Sequence, residues 1–176
     1  MGMESMMGSG VTAQAEAPPP AQYLTFSVGE EVFAMDIITV REIIQFASMT
    51  TVPLMPDFVR GVINLRGAVV PVIDLKSRFG RGAAQVGKKS CVVIFDAVRE
   101  GEKVELGLMV DSVSEVVEIA ASSIEPPPQF GTSIERTFIR GMGKVDGVFI
   151  VILDTDRALD VVGQKKEFVW HGYQNS

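Results

Sequence analysis

The stretch that decides the fold is FVRGVINLRGAVVPVIDL, residues 58–75, because the chain contains a second version of it. The second version, FIRGMGKVDGVFIVILDT, begins 80 residues later at Phe138. In both versions two apolar runs flank a dipeptide suited to a tight turn, Arg66-Gly67 in the first and Asp146-Gly147 in the second. The sequence therefore predicts a β-hairpin at the same place in each of two duplicated halves.

The duplication also includes sequence upstream of these hairpins. Residues 39–43, TVREI, match residues 112–116, SVSEV, at an offset of 73. Alternating apolar and polar residues predict two further hairpins, over residues 23–37 and residues 90–110. Each half therefore has four or five short strands, and halves this small are expected to close into barrels, which leaves no sheet edge exposed.

Short helical turns are expected beside the strands. Thr39 with Glu42, and Ser112 with Glu115, have the spacing at which a hydroxyl and a carboxylate each accept a hydrogen bond from a free backbone N–H at the start of a helical turn. A final helix is predicted over residues 156–162. The predicted fold is thus mainly β, with short helical turns and one C-terminal helix.

The duplicated region is expected to lie between two tails. Residues 1–21, rich in Gly, Ala, Ser, Met and Pro, predict a disordered N-terminal extension. Two subdomains follow, roughly residues 22–85 and 86–162. Residues 163–176 are predicted to form a second tail, whose aromatic side chains favour packing on the same domain over binding to a partner.

The composition limits what the chain can do. Its net charge is −6, from 16 Lys and Arg against 22 Asp and Glu, which argues against a surface that follows nucleic-acid phosphates. No apolar run approaches the ~18 residues of a membrane span, and the N-terminus lacks a secretory signal, so a cytoplasmic protein without membrane insertion is expected. The only cysteine, Cys91, lies in an apolar strand and is expected to be buried and inert.

The residues needed for catalysis are not found together. His171 is the only histidine and lies in the C-terminal tail, so neither a histidine pair for a metal nor a Ser-His-Asp set can form. We therefore expect no enzyme, no metal and no cofactor. Four aspartates end predicted strands in duplicated positions, which favours turn and cap roles over acid–base pairs. They are Asp36, Asp74, Asp111 and Asp154.

The two hairpin tips differ between the halves. Arg66 in the first half corresponds to Asp146 in the second, and Asn64 corresponds to Lys144. A side chain at a turn rarely serves the core, and the planar guanidinium of Arg66 suits a carboxylate on a partner. A solvated turn residue is the alternative interpretation, and the sequence leaves both open.

Several of these motifs resemble those of a known family. The run FVRGVINLRG at residues 58–67, the motif VREI at residues 40–43 and the motif GLMVD at residues 107–111 are similar to the signature of the chemotaxis coupling proteins called CheW. The likeness spans residues 22–162. It implies two SH3-like five-stranded β-barrel subdomains packed side by side.

The resemblance also implies a function. It is that of a non-catalytic adaptor, which couples the cytoplasmic tips of methyl-accepting chemoreceptors to the regulatory domain of the histidine kinase CheA. Such an adaptor builds signalling arrays at the inner face of the membrane, and we expect a monomer in isolation that forms rings within arrays.

The partner-binding residues implied by the resemblance fall into three groups. Val40, Glu42 and Arg66, beside Asn64 at the hairpin tip, match positions tied to partner binding. Apolar residues would line a groove between the halves that suits receptor helices, although Ile43 and Val116 have a core position as the alternative. Those apolar residues are Ile43, Ile44, Val116 and Val117, and the backbone-shaping glycines are Gly61 and Gly107.

Other function classes compete with the adaptor. A regulatory module of a different two-component assembly could bind other receptors through the same fold. A small nucleic-acid-binding barrel would need a basic groove and stacking aromatics, whereas aromatic residues make up 7% of this acidic chain. An enzyme is disfavoured because the sequence offers no nucleophile–base set.

Overall fold

The structure is a computed structural model, and it describes residues 19–46, 49–78, 82–99, 101–126 and 138–156. Within these ranges the chain is mainly β, with ten strands and little helix. The strands are β1 (Ala21–Val28), β2 (Glu31–Asp36), β3 (Val40–Gln45), β4 (Val59–Leu65), β5 (Ala68–Asp74), β6 (Cys91–Arg99), β7 (Glu102–Val110), β8 (Ser112–Ile119), β9 (Ile139–Val145) and β10 (Val148–Leu153). Helical structure comprises two short 3-10 turns and the single-turn helix α1, at Ile37–Thr39, Ala121–Ser123 and Leu75–Arg78 respectively.

The ten strands form two five-stranded sheets. Sheet A has the order β8-β1-β2-β10-β9, and sheet B has the order β3-β6-β7-β5-β4. Each sheet takes strands from both halves of the sequence, because hairpin β1–β2 pairs with β8 and β10 while hairpin β6–β7 pairs with β3 and β5. The division expected at residues 22–85 and 86–162 therefore does not coincide with the two sheets.

The duplication is visible in the pairing of the strands. Each strand of sheet B occupies the position of its repeat partner in sheet A, so the two strand orders correspond one to one. Register shifts at Arg60 in β4 and Arg140 in β9 mark the same bulge in both copies. The bridge between Thr50 and Val62 in sheet B likewise has its counterpart at Glu125 and Met142 in sheet A.

The apolar residues form one central core and two smaller cores. The central core takes residues from both sheets, including Phe26 and Phe33 of sheet A and Phe95 of sheet B. A second core around Val72 and Ile94 belongs to sheet B, and a third, around residues such as Ile152, belongs to sheet A. Among the described residues, no strand ladder joins β3 to β4 or β8 to β9, so the predicted barrels are two five-stranded sheets without a closing ladder.

The predicted hairpin turns are confirmed. Arg66 and Gly67 have φ of 54° and 88°, and Asp146 and Gly147 have φ of 51° and 81°. Two successive residues with positive φ form the primed turn whose twist matches that of the flanking strands. Each of these turns joins two antiparallel strands, β4 to β5 and β9 to β10.

The predicted capping boxes are wrong. Thr39 ends a 3-10 turn whose actual cap is Asp36, which accepts from the backbone N–H of Ile38 at 3.0 Å. Glu42 lies in β3, and residues 112 to 115 lie in β8. Strand pairing in these two segments satisfies the backbone groups that a helical turn would have left free.

The expectations for the chain ends lie outside the described residues. The N-terminal extension, residues 1–21, is described only from residue 19 onwards. The predicted helix over residues 156–162 lies outside the described residues except for Asp156, and the tail from residue 163 lies outside as well. In the part of the chain that is described, no helix is long and apolar enough to cross a membrane.

Three of the strand-end aspartates have the predicted cap or turn role. Asp36 caps its 3-10 turn, and Asp111 accepts from the backbone N–H of Gly29 at 2.7 Å. Asp74 is fully buried and accepts from Arg60 Nη1 at 2.9 Å and from the backbone N–H of Ala84 at 2.8 Å. This buried pair fixes the bulge of β4 against the segment that contains Ala84.

Replacement of Asp74 should destabilise the fold. Asp74→Ala is expected to lower the free energy of unfolding by about 3 kcal/mol, because it removes the carboxylate partner of the partly buried Arg60 guanidinium, which keeps only the Ala84 carbonyl, and leaves the buried N–H of Ala84 without its acceptor. Chemical denaturation followed by circular dichroism measures the change. The control Asp57→Ala removes an exposed aspartate and should change the unfolding free energy by less than about 0.5 kcal/mol. Equal losses in the two variants would contradict this role of Asp74.

Candidate interaction surface

An ion pair links two separate parts of sheet B. Arg66 Nη2, at the tip of the β4–β5 hairpin, donates to Glu42 Oε1 in β3. The side chain of Arg66 is 69% exposed and that of Glu42 is 29% exposed. Since β3 and β4 are the two edge strands of sheet B, this contact means that the sheet curls until its edges approach each other.

The electrostatics of the pair follow from this contact. The hydrogen bond from Arg66, helped by the positive charges of Arg66 and Arg41, lowers the pKa of Glu42. The same hydrogen bond raises the pKa of Arg66, and the charge of Glu105 adds to that effect. Both side chains are therefore charged at neutral pH, and the cation remains largely accessible from solvent.

A second set of ion pairs lies beside the first. Arg41 Nη1 is 3.4 Å from Asp96 Oδ2, and Arg41 Nε is 3.8 Å from Glu105 Oε2. Asp96 and Glu105 are cross-strand partners in β6 and β7. We call the five residues together the ion-pair patch: Arg41, Glu42, Arg66, Asp96 and Glu105.

Two members of this patch, Glu42 and Arg66, were predicted from the sequence, and the other three were not. Arg41, Asp96 and Glu105 come from three different strands, so no local motif joins them. The one sequence feature that could have predicted part of the patch is the β6–β7 hairpin. Symmetrical strand pairing on the two sides of its turn places Asp96 opposite Glu105. Oppositely charged neighbours on adjacent strands then follow from the position of β3 beside β6.

A bulge in β3 orients the side chains around the patch. Val40 pairs with Phe95 and Glu42 pairs with Ile94, so Arg41 is the extra residue on β3. Val40 packs against the central core, whereas the side chain of Arg41 is exposed. A bulge of this kind redirects side chains at a sheet edge, and here it turns Arg41 outward beside Glu42.

The four predicted apolar residues divide into two pairs. Ile43 and Val116 are 43% and 47% exposed, so the alternative of a core position is wrong for both. Ile44 and Val117 are partly buried, the first against the core of sheet B and the second against the core of sheet A. Ile43 and Val116 therefore occupy equivalent exposed positions on the edge strands β3 and β8.

The two predicted glycines are required by close contacts. A Cβ on Gly61 would lie 2.5 Å from the carbonyl oxygen of Thr50, and one on Gly107 would lie 2.8 Å from Val92 Cγ1. Neither glycine has a positive φ, so the requirement is steric. Gly107 fills a small interior position in sheet B that Ala34 fills in sheet A.

Asn64 supports the hairpin tip that carries Arg66. Its Oδ1 accepts from the backbone N–H of Gly67 at 3.1 Å. This side-chain hydrogen bond stabilises the turn, and the turn holds Arg66 where its guanidinium contacts Glu42. Asn64 itself is exposed and remains accessible at the tip.

Cys91 differs from its prediction. It is half-buried instead of buried, packs against the central core and donates from Sγ to the carbonyl of Lys89 at 3.3 Å. Its position at the first residue of β6, where the sheet begins, explains the partial exposure. Among the described residues, no group of three metal-ligating side chains lies together.

The equivalent positions of sheet A carry no arginine. Glu115 occupies the repeat position of Glu42, and Asp146 occupies that of Arg66. The backbone of Glu115 is held by Thr25, whose buried hydroxyl donates to its carbonyl at 2.8 Å and accepts from its N–H at 3.2 Å. Two carboxylates thus replace the ion pair of sheet B, so the two sheets offer different surfaces at these positions.

These features define a class of protein. Two duplicated sheets share one core, and each presents an exposed edge strand and hairpin tip with its own charge pattern. Such an arrangement is typical of an interaction module.

Comparison with known proteins identifies the family. Residues 22–162 match the family model described as the CheW-like domain. The chain is 34% identical over 135 residues to the chemotaxis protein CheW of Rhizobium meliloti, covering 77% of this chain and 84% of that one. It is 31% identical over 138 residues to the chemotaxis protein CheW of Klebsiella aerogenes, covering 78% and 81%.

A solved structure agrees with these relatives. The crystal structure of the scaffolding protein TtCheW from Thermoanaerobacter tengcongensis is 42% identical, with a TM-score of 0.69, and the match covers 78% of this chain and 86% of that one. The chain belongs to the CheW-like family, and its relatives support a role as a scaffold or adaptor in chemotaxis signalling.

The ion pair predicts how Glu42 titrates. The pKa of Glu42 is lower in the folded state than its ordinary value in the unfolded chain. The ion pair therefore stabilises the fold at pH values above the ordinary pKa of glutamate, and this stabilisation is lost as the pH falls through the lowered pKa. In Arg66→Met the pKa of Glu42 should return upward towards its ordinary range, measured by NMR of the side-chain carboxyl carbon. Asp146→Asn, at the other hairpin tip, should leave the Glu42 titration unchanged. An identical Glu42 pKa in wild type and Arg66→Met would contradict the pairing.

Proposed function

We propose that the protein couples chemoreceptors to the histidine kinase CheA, by binding receptor tips and the regulatory domain of the kinase at different surfaces. The observation that carries this proposal is the exposed ion-pair patch of sheet B, which has no matching ion pair at the equivalent positions of sheet A. A scaffold that joins two unlike partners needs two unlike surfaces. The chemotaxis role of its relatives supplies the partner classes.

The ion-pair patch suits a protein partner with exposed carboxylates or polar backbone groups. Arg66 is preorganised by Glu42 and by a closed turn, so little conformational entropy is lost when it binds. A guanidinium that is largely exposed yet held in one position is typical of residues that dominate an interface. The neighbouring Val40, half-buried beside the bulge, provides apolar surface next to the charge.

The exposed apolar positions suit a helical partner. Ile43 and Val116 stand on the two edge strands, with Ile44 and Val117 behind them in the sheet cores. Receptor tips are helical, and an amphipathic helix binds by placing its apolar face against exposed apolar side chains of its partner. We assign these four residues to receptor contact. We also assign each of the two curled sheets to an SH3-like barrel.

The remaining properties follow from the adaptor role. The protein performs no catalysis, and its location is the cytoplasm, at the inner face of the membrane where receptor arrays form. In isolation it is a monomer, and in arrays it forms rings with the kinase, because heterologous contacts at unlike ends close when the rotation allows. Modest single interfaces then suffice, since multivalency holds the array together.

Titration of the full chain against its two proposed partners tests the function. The partners are a CheA regulatory domain and a receptor tip fragment, and saturable binding to both is expected. Arg66→Ala should weaken one of the two interactions about tenfold or more, because an arginine anchor is lost, and leave the other within about twofold. Isothermal calorimetry measures each affinity, and circular dichroism confirms that the variant is folded.

Two matched variants control for general surface effects. Arg140→Ala removes an exposed arginine from a bulge of sheet A and should leave both affinities unchanged. Ile43→Ser should weaken receptor binding, whereas Leu54→Ser, at a position 84% exposed, should have no effect. Failure of the folded wild type to bind either partner would overturn the proposed function.

A further inference from the structure

A cationic side chain lies at the junction of the two sheets. Arg78 ends α1, directly after β5 of sheet B. Its guanidinium carbon is 4.6 Å from the ring centroid of Phe58 and 4.5 Å from that of Phe138. These two phenylalanines are repeat partners, separated by the 80-residue offset, and they precede β4 and β9. Arg78 therefore contacts the same structural position in both repeats.

The two rings are held in equivalent ways. The carbonyl of Phe58 accepts from the backbone N–H of Asp74, and that of Phe138 accepts from the N–H of Asp154, each at 2.7 Å. The backbone of each phenylalanine is thus held at the end of the hairpin in its own sheet, β4–β5 for Phe58 and β9–β10 for Phe138. A group that contacts both rings consequently links sheet B to sheet A.

The surroundings of Arg78 are unfavourable for a charge. A small cavity of about 20 Å³ beside it is lined mainly by apolar side chains from both sheets, including Met35 and Leu153 of sheet A and Ile73 of sheet B. Arg78 Nε is buried and has no hydrogen-bond acceptor among the described residues, and burial lowers the pKa of the guanidinium. Partial burial of the guanidinium costs desolvation free energy that an apolar side chain of similar volume would not lose.

An arginine at this junction supplies what an apolar side chain lacks. A planar cation is attracted to the face of each ring, so it favours a particular distance and orientation between them. Apolar side chains of equal size fill space but permit several packings, and cores lose their single arrangement before they lose stability. The arginine thus favours a unique geometry at the boundary between the sheets.

We propose that Arg78 is a positioning residue that fixes the orientation of sheet A relative to sheet B through the rings of Phe58 and Phe138. The ion-pair patch lies on sheet B, whereas the apolar positions assigned to the receptor include Val116 and Val117 of sheet A, so Arg78 sets how the two proposed binding surfaces are arranged. The functional part of this inference rests on the proposed adaptor role, whereas the structural part does not.

Distance measurements between the sheets test the structural part. Spin labels are placed at Gln45 in β3 and Glu118 in β8, which are equivalent exposed positions, in a Cys91→Ser background of the full chain. Arg78→Met should keep the fold by circular dichroism while making the electron–electron distance distribution about twofold broader than that of wild type. Arg140→Met, which removes an exposed arginine, should leave the distribution unchanged. An unchanged distribution in folded Arg78→Met would overturn the proposal.

A second variant covers the case in which Arg78→Met fails to fold. Arg78→Lys keeps the charge but loses the planar guanidinium, so it should also broaden the distribution. A distribution in Arg78→Lys as narrow as that of wild type would overturn the proposal, because a point charge would then suffice.

The functional part has a separate readout. In Arg78→Met each partner alone should bind with an affinity within about twofold of wild type. The affinity for joint assembly of the kinase domain and the receptor fragment should fall about tenfold, because the two binding surfaces no longer keep a fixed relative orientation. A broadened distribution with unchanged joint assembly would overturn the functional part only. If wild type binds neither partner, the proposed adaptor function fails, and the distance measurement still decides whether Arg78 positions the sheets.

Discussion

The exchange of hairpins between the two repeats is the constraint on which the rest of the structure depends. Because β1 and β2 pair with strands of the second repeat, and β6 and β7 pair with strands of the first, neither sheet is complete within one repeat. The chain crosses between the sheets at the 3-10 turn after Asp36 and again at Asp111. Both crossings are fixed by an aspartate that accepts a backbone N–H. The two sheets consequently share the central core.

This shared framework allows the exposed hairpin tips and edge strands of the two sheets to differ. The strand orders, bulges and hairpin turns are the same in both sheets, so changes at the hairpin tips and edge strands leave the core intact. In sheet B the tip and the edge strand form the ion pair between Arg66 and Glu42, whereas sheet A has Asp146 and Glu115 at the equivalent positions. Duplication followed by divergence at these exposed positions gives one molecule two dissimilar surfaces, which is what an adaptor requires.

Local features of the fold were predictable from the sequence, and non-local ones were not. The Arg66-Gly67 and Asp146-Gly147 turns follow from chemistry within a few residues, and all four hairpins were placed correctly. The exchange of hairpins was not predictable, because both repeats have the same pattern and β1–β2 could pair with either β3 or β8 on pattern alone. The capping-box prediction failed because strand pairing of β3 and β8 overrode a local helical signal.

In the candidate interaction surface, too, single residues were predictable from the sequence and their contacts were not. Glu42 and Arg66 were identified through the family resemblance, but their contact depends on the curling of sheet B. Arg41, Asp96 and Glu105 come together only through the order of three strands, and no sequence motif joins them. The exposure of Ile43 and Val116 was likewise undecided by sequence, since an apolar residue on a strand can face either a core or solvent.

The proposed adaptor function requires that two partners bind this molecule at the same time, at different surfaces. Native mass spectrometry of the full chain with a CheA regulatory domain and a receptor tip fragment tests it directly. We expect a ternary complex that contains all three components, whose abundance rises with the concentration of either partner while neither partner displaces the other. Two binary complexes that compete, with no ternary species at saturating concentrations of both partners, would contradict it.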